Sequence, residues 1–298
     1  MKLLSHYLQN KNDPRHEITN WENDLINDSL CYSYRSTVYD MNTFPSSLHS
    51  HDYYELVIFV EGEINYVCES SVYSPKRGDV IIIPPGKFHM SKLKGERTHY
   101  KRHVFYLYPN AFDAVGASLA DILIRTNEGV HFSLSSRERE EELLSLTEKL
   151  SLALKNRGDG LSRALAFGYI IEIFCLLNRK DIRHSGESER LPENILALQQ
   201  YLDAHYTEID SVSEVAEHFF YSREYVSRLF KKYYDTTILD YIHKLRISKS
   251  RALIAEGMPI IDVCYAVGFS SLSTFIRAFR TATDMTPSEY RRMVRDGG

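Results

Sequence analysis

The sequence predicts a multidomain protein: an amino-terminal all-β barrel followed by a helical pair, and a carboxyl-terminal all-α domain with two helix-turn-helix units. Residues 31–108 contain short apolar or alternating runs separated by Gly and Pro, a pattern typical of sandwiches and barrels. Residues 135–178 show helical periodicity, and residues 192–298 contain a weak internal repeat. A chain of 298 residues has room for two such domains.

Composition restricts the class of protein. The chain has 43% hydrophobic and 26% charged residues, as expected of a globular protein that buries real cores. No apolar run approaches the roughly 20 residues of a membrane span, and the first four residues are followed by polar ones, so neither an anchor nor a signal peptide is expected. The four cysteines lack a C-x-x-C pair, which favours free thiols in a reducing compartment. We therefore expect a cytoplasmic protein that binds no membrane.

The barrel is expected within residues 1–130. Its first 30 residues are polar and mixed, which favours an irregular segment, with an arm or a pocket lid as the alternative. Short strands should include the apolar runs Leu56–Val60 and Val80–Ile83 and the alternating run Ile64–Cys68.

Two helices should follow the barrel. Ser135 and Glu138 have the spacing of a capping box and predict a helix that ends at about Asn156. A second helix, over residues 161–178, is apolar on nearly all sides and must be covered on more than one of them. Charged residues with Ser and Gly after it favour a flexible linker. The predicted limits are 1–130 for the barrel, 131–180 for the helical region, 181–191 for the linker and 192–298 for the carboxyl-terminal domain.

The first copy of the repeat has clear helix signals. Ser211 and Glu214 form a capping box at its first helix, and Ser222 is placed to cap the second. Apolar residues of the second helix recur every three or four positions and should face the core: Val226, Leu229, Phe230 and Tyr233. Its outer face is basic and polar and comprises Arg223, Glu224, Ser227, Arg228, Lys231 and Lys232.

The second copy repeats these signals. Pro259 suits a first helical position, Gly268 suits a tight turn, and Ser271 suits a helix cap. Phenylalanines of the following helix face inward, and its exposed side includes Leu272, Ser273, Ile276 and Arg277. Residues 236–255, between the copies, predict a connecting helix roughly 28 Å long. Such a helix could hold the two outer faces about one turn of DNA apart, roughly 34 Å.

Charge is distributed unevenly in the carboxyl-terminal domain. Residues 191–221 contain six acidic residues and no Lys or Arg, whereas residues 222–298 contain 13 Lys and Arg against 8 Asp and Glu. Nucleic-acid binding depends on a local patch that neutralises phosphates, so the net charge of -4 does not exclude it. The basic outer faces therefore predict binding to double-stranded DNA.

Residues 192–295 resemble the DNA-binding domain of the AraC/XylS family of bacterial transcription regulators. The resemblance is carried by the motifs Ser222–Lys232, Val267–Phe269, Phe275–Arg280 and Thr286–Arg291. The family usually has a helix-ending Gly where this chain has Asp235 and Asp284, so both turns should be mildly strained.

The family resemblance implies roles for the outer faces. It places Glu224, Ser227, Arg228, Leu272, Ser273 and Arg277 against the major groove, whereas Lys231 and Lys232 are better placed for phosphates. Leu272 is the weakest of these assignments, because an apolar side chain can touch only a thymine methyl or pack on its neighbours. The resemblance also implies RNA polymerase as a partner and a homodimer formed by the helical region, with burial inside one subunit as the alternative.

A second constellation lies in the barrel. His49-x-His51-x-x-x-Glu55, followed later by His89, resembles the paired motif of cupins, which use these positions as metal ligands. Imidazoles and a carboxylate suit Fe, Mn, Ni, Zn or Cu. Leu93 replaces the final Asn of the motif, and the Gly before the first His is absent. Regulators with cupin-like domains commonly bind a sugar or another small molecule without metal, and the same side chains can bond hydroxyls.

These patterns together predict a DNA-binding transcription regulator that responds to a small molecule such as a carbohydrate. His49, His51, Glu55 and His89 are its candidate effector ligands, with Tyr66 and His103 as further guesses. No catalysis and no cofactor are expected. The chief alternative is a metal-dependent cupin enzyme fused to a DNA-binding domain, with a divalent transition metal at the same four residues. A third hypothesis is a purely structural cupin domain that acts through a protein partner.

Overall fold

The computed structural model describes residues 18–27, 29–116, 131–134, 136–155, 160–178, 182–184 and 188–296. The chain divides into two compact units. The first comprises residues 1–45, 53–87 and 91–189, and the second comprises residues 46–52, 88–90 and 190–298.

The β-rich part of the chain contains two sheets. The strands are β1 (Ile18–Asn27), β2 (Leu30–Asp40), β3 (Tyr54–Glu61), β4 (Ile64–Cys68), β5 (Ser71–Tyr73), β6 (Val80–Ile83), β7 (His89–Leu93), β8 (Arg97–Leu107), β9 (His131–Leu134), β10 (Ile182–His184) and β11 (Ser188–Arg190). Among the described residues, one sheet has the order β1-β2-β8-β3-β6-β9-β10 and the other β11-β5-β4-β7. The predicted all-β domain is confirmed.

Two expectations for the strands were wrong. β2 and β8 are 11 residues each and pair antiparallel from Leu30–Leu107 to Asp40–Arg97, so the central strands are not short. Residues 18–27, expected to be irregular, form β1 on the edge of β2, because backbone pairing does not require an apolar sequence. The rest of the predicted irregular segment, residues 1–17, lies outside the described residues.

Strand alternation divides the large sheet into two faces. On one face, Leu30, Tyr32 and Phe105 join a core with the two helices that follow the strands; we call it the helix-covered face. On the other, Val104 and Tyr106 pack with residues of the second sheet such as Ile64 and Tyr66; we call it the interior face. Successive residues of β2 and β8 therefore serve different cores.

The helical region consists of α1 (Arg137–Lys155) and α2 (Gly160–Leu177). Ser135 and Asn156, the predicted limits of the first helix, lie outside the described residues. Buried residues of α2 pack on the helix-covered face, but Leu161 is 80% exposed and Leu165 is 52% exposed. By length and composition α2 could cross a membrane, since its 18 residues have a mean hydropathy of 1.6 and 33% of them are buried. Core helices of soluble proteins meet the same criteria, so these values do not identify a membrane span. The described residues cover the apolar surface of α2 only in part.

The carboxyl-terminal part is all-α over the residues described. Its helices are α3 (Glu193–His205), α4 (Val212–His218), α5 (Arg223–Tyr234), α6 (Ile238–Ala255), α7 (Ile260–Ala266), α8 (Leu272–Thr283) and α9 (Pro287–Asp296). The segment predicted as a flexible linker, 181–191, contains β10, paired antiparallel with β9, and β11. The domain limits stay a prediction.

Helix caps follow the sequence signals with two corrections. The Ser211 and Ser222 hydroxyls accept the amides of Glu214 and Tyr225 at 3.3 and 3.2 Å. Pro259 is the residue before α7 and not its first residue. The Ser271 hydroxyl lies 2.8 Å from that of Ser273 and caps no amide, because the neighbouring hydroxyl competes for it.

The turns after the helices use left-handed backbone. Asp235 and Asp284 end α5 and α8 with φ values of 50° and 58°, as their positions predicted. Gly268 has a φ of 90°, and a Cβ atom there would lie 2.6 Å from the Thr207 carbonyl oxygen, so only Gly fits. The equivalent residue of the first copy is Phe220, with a φ of 55° and a side chain 95% exposed.

Candidate ligand site and nucleic-acid interface

The outer face of α5 is exposed as predicted. All six residues of the predicted outer face are solvent-exposed: Arg223, Glu224, Ser227, Arg228, Lys231 and Lys232. On the inner face Val226 and Phe230 are fully buried, whereas Leu229 and Tyr233 are only half-buried and Tyr234 is buried instead. The helix therefore presents four cations, a carboxylate and a hydroxyl on one accessible surface.

Glu224 is held ionised on this surface. Its own backbone amide, and then the Ser222 hydroxyl, bond the carboxylate and lower the pKa of Glu224. An ionised carboxylate is an acceptor, which suits it to a cytosine amino group in a major groove.

The α8 face is less uniform. Ser273 and Arg277 are exposed, but Leu272 is half-buried and packs against the core around Phe275 and Phe279. Packing of this kind explains Leu272 without a DNA contact. Thr274 and Arg280 are also exposed on α8; sequence reasoning missed them, although their helical spacing from Arg277 was available.

Three histidines lie together in the two short segments that the second unit takes from the amino-terminal half of the chain, residues 46–52 and 88–90. His49 and His89 exchange both backbone hydrogen bonds, at 3.0 and 2.9 Å, which brings their ring centroids to 4.2 Å. The His51 ring lies 4.9 Å from that of His89. His51 and His89 are buried, whereas His49 is exposed. The two motifs that are 34 or more residues apart in sequence thus meet through one bridge between strands.

Glu55, the fourth predicted ligand, lies on β3 in the first unit. The His49 Nδ1 atom lies 2.7 Å from the Ser47 carbonyl oxygen, an arrangement that directs Nε2 to a ligand. We refer to His49, His51 and His89 as the histidine cluster.

The two further guesses lie on opposite faces of the large sheet. Tyr66 faces the interior and hydrogen-bonds the Tyr100 hydroxyl. His103 faces the helices, where its Nδ1 atom lies 2.7 Å from the Tyr32 hydroxyl. It lines a separate cavity of about 350 Å³ between the sheet and α1, together with Tyr34, Leu144, Ser151 and Lys155. His103 is therefore not beside the histidine cluster, since its odd position on β8 points it away from the interior.

Sequence reasoning missed a polar cluster on the interior face. Arg35 donates from Nη2 to the Tyr106 hydroxyl at 2.5 Å, and the Arg102 guanidinium stacks 3.9 Å from the centre of the Tyr100 ring. Both arginines are 8% exposed. Arg35 and Arg102 are directly opposite each other in the β2–β8 pairing, which is the signal that could have identified this polar cluster. That signal can be recognised only once the strand register is known.

A β-rich domain with convergent polar side chains, joined to a duplicated helix-turn-helix domain with basic outer faces, defines a ligand-responsive DNA-binding protein. Comparison with known families agrees. The AraC-like ligand binding domain matches residues 31–168, and a helix-turn-helix domain matches residues 215–293. The chain belongs to the AraC family and is a DNA-binding transcription regulator with an amino-terminal ligand-binding domain.

Several regulators are similar along most of their length. The arabinose operon regulatory protein of Salmonella typhimurium is 26% identical over 79% of this chain and 82% of its own. The transcriptional activator RhaR of Mannheimia succiniciproducens is 23% identical over 83% of this chain and 87% of its own. A solved structure, the C-terminal domain of AraT from Geobacillus stearothermophilus, is 27% identical over 35% of this chain and 88% of its own, with a TM-score of 0.34. These relatives are regulators, and the enzyme alternative has no support.

His103 provides a pH test of the fold. Burial lowers its pKa from 6.5 to about 3, so the unfolded chain takes up the proton first as pH falls. The contribution of neutral His103 to the free energy of unfolding is therefore complete above pH 6.5 and decreases steadily as the pH falls from 6.5 to 3. His103→Asn keeps an acceptor for Tyr32 and removes the titration, so between pH 7 and pH 4 it should lose roughly 3 kcal/mol less stability than the unmodified chain. The free energy of unfolding is measured at each pH by urea unfolding, monitored through hydrogen exchange of the β8 amides. Equal losses of stability in the variant and the unmodified chain would contradict the assignment of this pH dependence to His103.

Proposed function

We propose that this regulator binds a small polyhydroxylated effector at the histidine cluster and uses α5 and α8 to recognise an operator. The observation that carries the proposal is the convergence of three imidazoles from two separate segments. Imidazole nitrogens can bond several hydroxyls at once. Relatives named for the arabinose and melibiose operons support a carbohydrate. The family further supports action in the cytoplasm and contact with RNA polymerase.

A transition metal at the same cluster is the second candidate. The proximity of the three imidazole rings favours it, as does the Ser47 carbonyl that orients the His49 ring. Bound there, a divalent ion would supply a positive charge that could bind an effector oxygen. The cluster would then be a metal-dependent ligand site in a regulator.

Ligand-induced stabilisation separates the two candidates. Arabinose or melibiose near saturation, or Zn²⁺, Mn²⁺ or Ni²⁺ near stoichiometry, should raise the melting temperature, because a ligand of the folded state stabilises it by mass action. His89→Ala should abolish the increase, whereas His205→Ala, at a half-buried histidine of α3, should leave it intact. Elemental analysis after reconstitution decides whether metal is retained. An unchanged response in His89→Ala would exclude this cluster as the site.

For DNA recognition we propose a division between base and phosphate contacts. Glu224, Ser227 and Arg228 of α5 lie near its amino-terminal end, where a recognition helix enters the groove. Ser273 and Arg277 occupy similar places on α8, with Leu272 as a thymine-methyl contact at most. Arg223, Lys231 and Lys232 are the proposed phosphate contacts.

Binding to a duplex selected from random sequence by the full chain tests this division. Arg228→Ala should weaken binding by about 1 to 3 kcal/mol and relax the preference at one base pair, because arginine can bond guanine through two atoms. Lys231→Ala should weaken binding to selected and scrambled duplexes alike and reduce the salt slope by about one. Lys249→Ala, exposed on α6, is the matched control. An equal loss of affinity for selected and scrambled duplexes in both Arg228→Ala and Lys231→Ala would refute the division into base and phosphate contacts. If the full chain selected no duplex at all, sequence-specific DNA binding itself would be refuted.

We also propose a homodimer formed through α2. Apart from Gly160 and Arg163, its exposed residues form one stripe along the helix: Leu161, Ala164, Leu165, Gly168, Glu172 and Cys175. Small residues in the stripe allow close approach of a second helix. A second copy of the chain would cover surface that the first unit leaves exposed.

Light scattering on the full chain tests the dimer. Replacing Leu161 and Leu165 together by Glu should produce a monomer at micromolar concentration, because the change buries two carboxylates in an apolar interface. Ile261→Glu, at a residue of α7 that is also 50% exposed, is the control and should leave the dimer unchanged. A monomeric unmodified chain would refute the proposal, and binding of that chain to neutral vesicles would show that the stripe faces lipid instead.

A further inference from the structure

The interior face of the large sheet contains more positive than negative charge. The charged groups that act most strongly on Tyr66, Tyr100 and Tyr106 include two guanidinium groups, those of Arg35 and Arg102, and the carboxylate of Glu55. Glu55 can balance one of the cations. One positive charge then remains in a region where both arginines are more than nine-tenths buried.

Arg102 is the cation that the fold leaves unsatisfied. Its Nη1 atom is buried and has no hydrogen-bond partner among the described residues, while the guanidinium plane rests on Tyr100. Nor is an ion pair to a described carboxylate formed. Burying a charge without a partner is strongly unfavourable, since the water it gave up is not replaced. An arginine kept in this state is suited to bind an anion that arrives from outside.

A second unsatisfied atom lies beside it. Thr37 is opposite Tyr100 in the β2–β8 register, and Arg102 stacks on that same ring. The Thr37 hydroxyl oxygen is buried and likewise has no hydrogen-bond partner in the described part of the chain. Arg102 and Thr37 are thus both neighbours of Tyr100 on the interior face, and a guanidinium donor with a hydroxyl is a suitable set for a ligand with both an anionic and a hydroxyl group.

We propose that the effector is a polyhydroxylated carboxylate, such as a uronic acid, whose carboxylate binds Arg102 and one of whose hydroxyls binds Thr37. A monoanion balances the single excess charge. A planar carboxylate also matches the two parallel donors of a guanidinium, which a neutral sugar does not. This inference deepens the proposed function, because it names the chemical class of its effector.

Matched ligand pairs test the charge directly. D-galacturonate and D-glucuronate should raise the melting temperature of the full chain by several degrees, whereas D-galactose and D-glucose at the same concentration should not. Sodium formate, the smallest carboxylate, should also stabilise the chain relative to sodium chloride at equal ionic strength. Failure of every carboxylate to stabilise the chain would overturn the proposal. A response to inorganic phosphate but not to carboxylates would overturn the carboxylate class.

Arg102→Met supplies the decisive variant. Methionine retains an apolar contact with Tyr100 and removes the charge, so the ligand-free variant should melt at or above the temperature of the unmodified chain. It should lose all response to galacturonate and formate. A large fall in its melting temperature, or an undiminished response, would show that Arg102 is structural.

Arg97→Met is the control, at the exposed end of the same strand, and should leave the response intact. A failure of the carboxylate proposal can be distinguished from a failure of the proposed function. A neutral sugar that stabilises the unmodified chain and Arg102→Met equally would leave a sugar-responsive regulator and overturn only the carboxylate. Loss of binding to the selected duplex would instead concern the DNA-recognition proposal.

Discussion

The antiparallel pairing of β2 with β8 is the interaction on which the first unit depends. Eleven consecutive residue pairs hold these strands in one register, with β1 on one side and β3 on the other. Because side chains alternate along a strand, this register sends Tyr32 and Phe105 to the helices and Arg35 and Arg102 to the interior. A shift of one residue would place two arginines in the apolar core under α1 and α2. The apolar residues of both faces therefore specify where the polar cluster lies.

The second unit depends in a similar way on one buried cation. Arg246 of α6 is 4% exposed and donates to the carbonyl oxygens of Tyr206 and Ile209 at 2.8 and 3.0 Å, with Asp210 at 3.5 Å. These bonds hold the segment between α3 and α4 against the connecting helix. The same segment supplies Thr207, whose carbonyl requires Gly268 in the second copy. The donors of Arg246 find hydrogen-bond acceptors within their own domain, as is usual for a buried arginine. Arg102 is the opposite case.

Much of this architecture could be predicted from the sequence, for physical reasons that differ between the two units. Helix periodicity and caps are local, so the outer face of α5 followed from residues a few positions apart, whereas the left-handed turns at Asp235 and Asp284 were implied by a family resemblance. The histidine cluster followed from a family resemblance. The interior cluster could not be predicted, since Arg35 and Arg102 meet only through a strand register set by residues far apart in the chain. Ser271 failed as a cap for a local reason, competition from a neighbouring hydroxyl, which spacing rules do not include.

A buried charge that only a ligand satisfies links binding to stability. Without the anion, Arg102 and Thr37 reduce the stability of the interior, because two buried polar atoms have no hydrogen-bond partner among the residues that the structure describes. With the anion, the same groups become hydrogen-bonded, and the gain belongs to the occupied state alone. By linkage, the ligand must then stabilise whichever arrangement of β2 and β8 presents both groups to it. Sensing in this unit therefore requires no new fold on binding, only a difference in stability between the empty and the occupied interior.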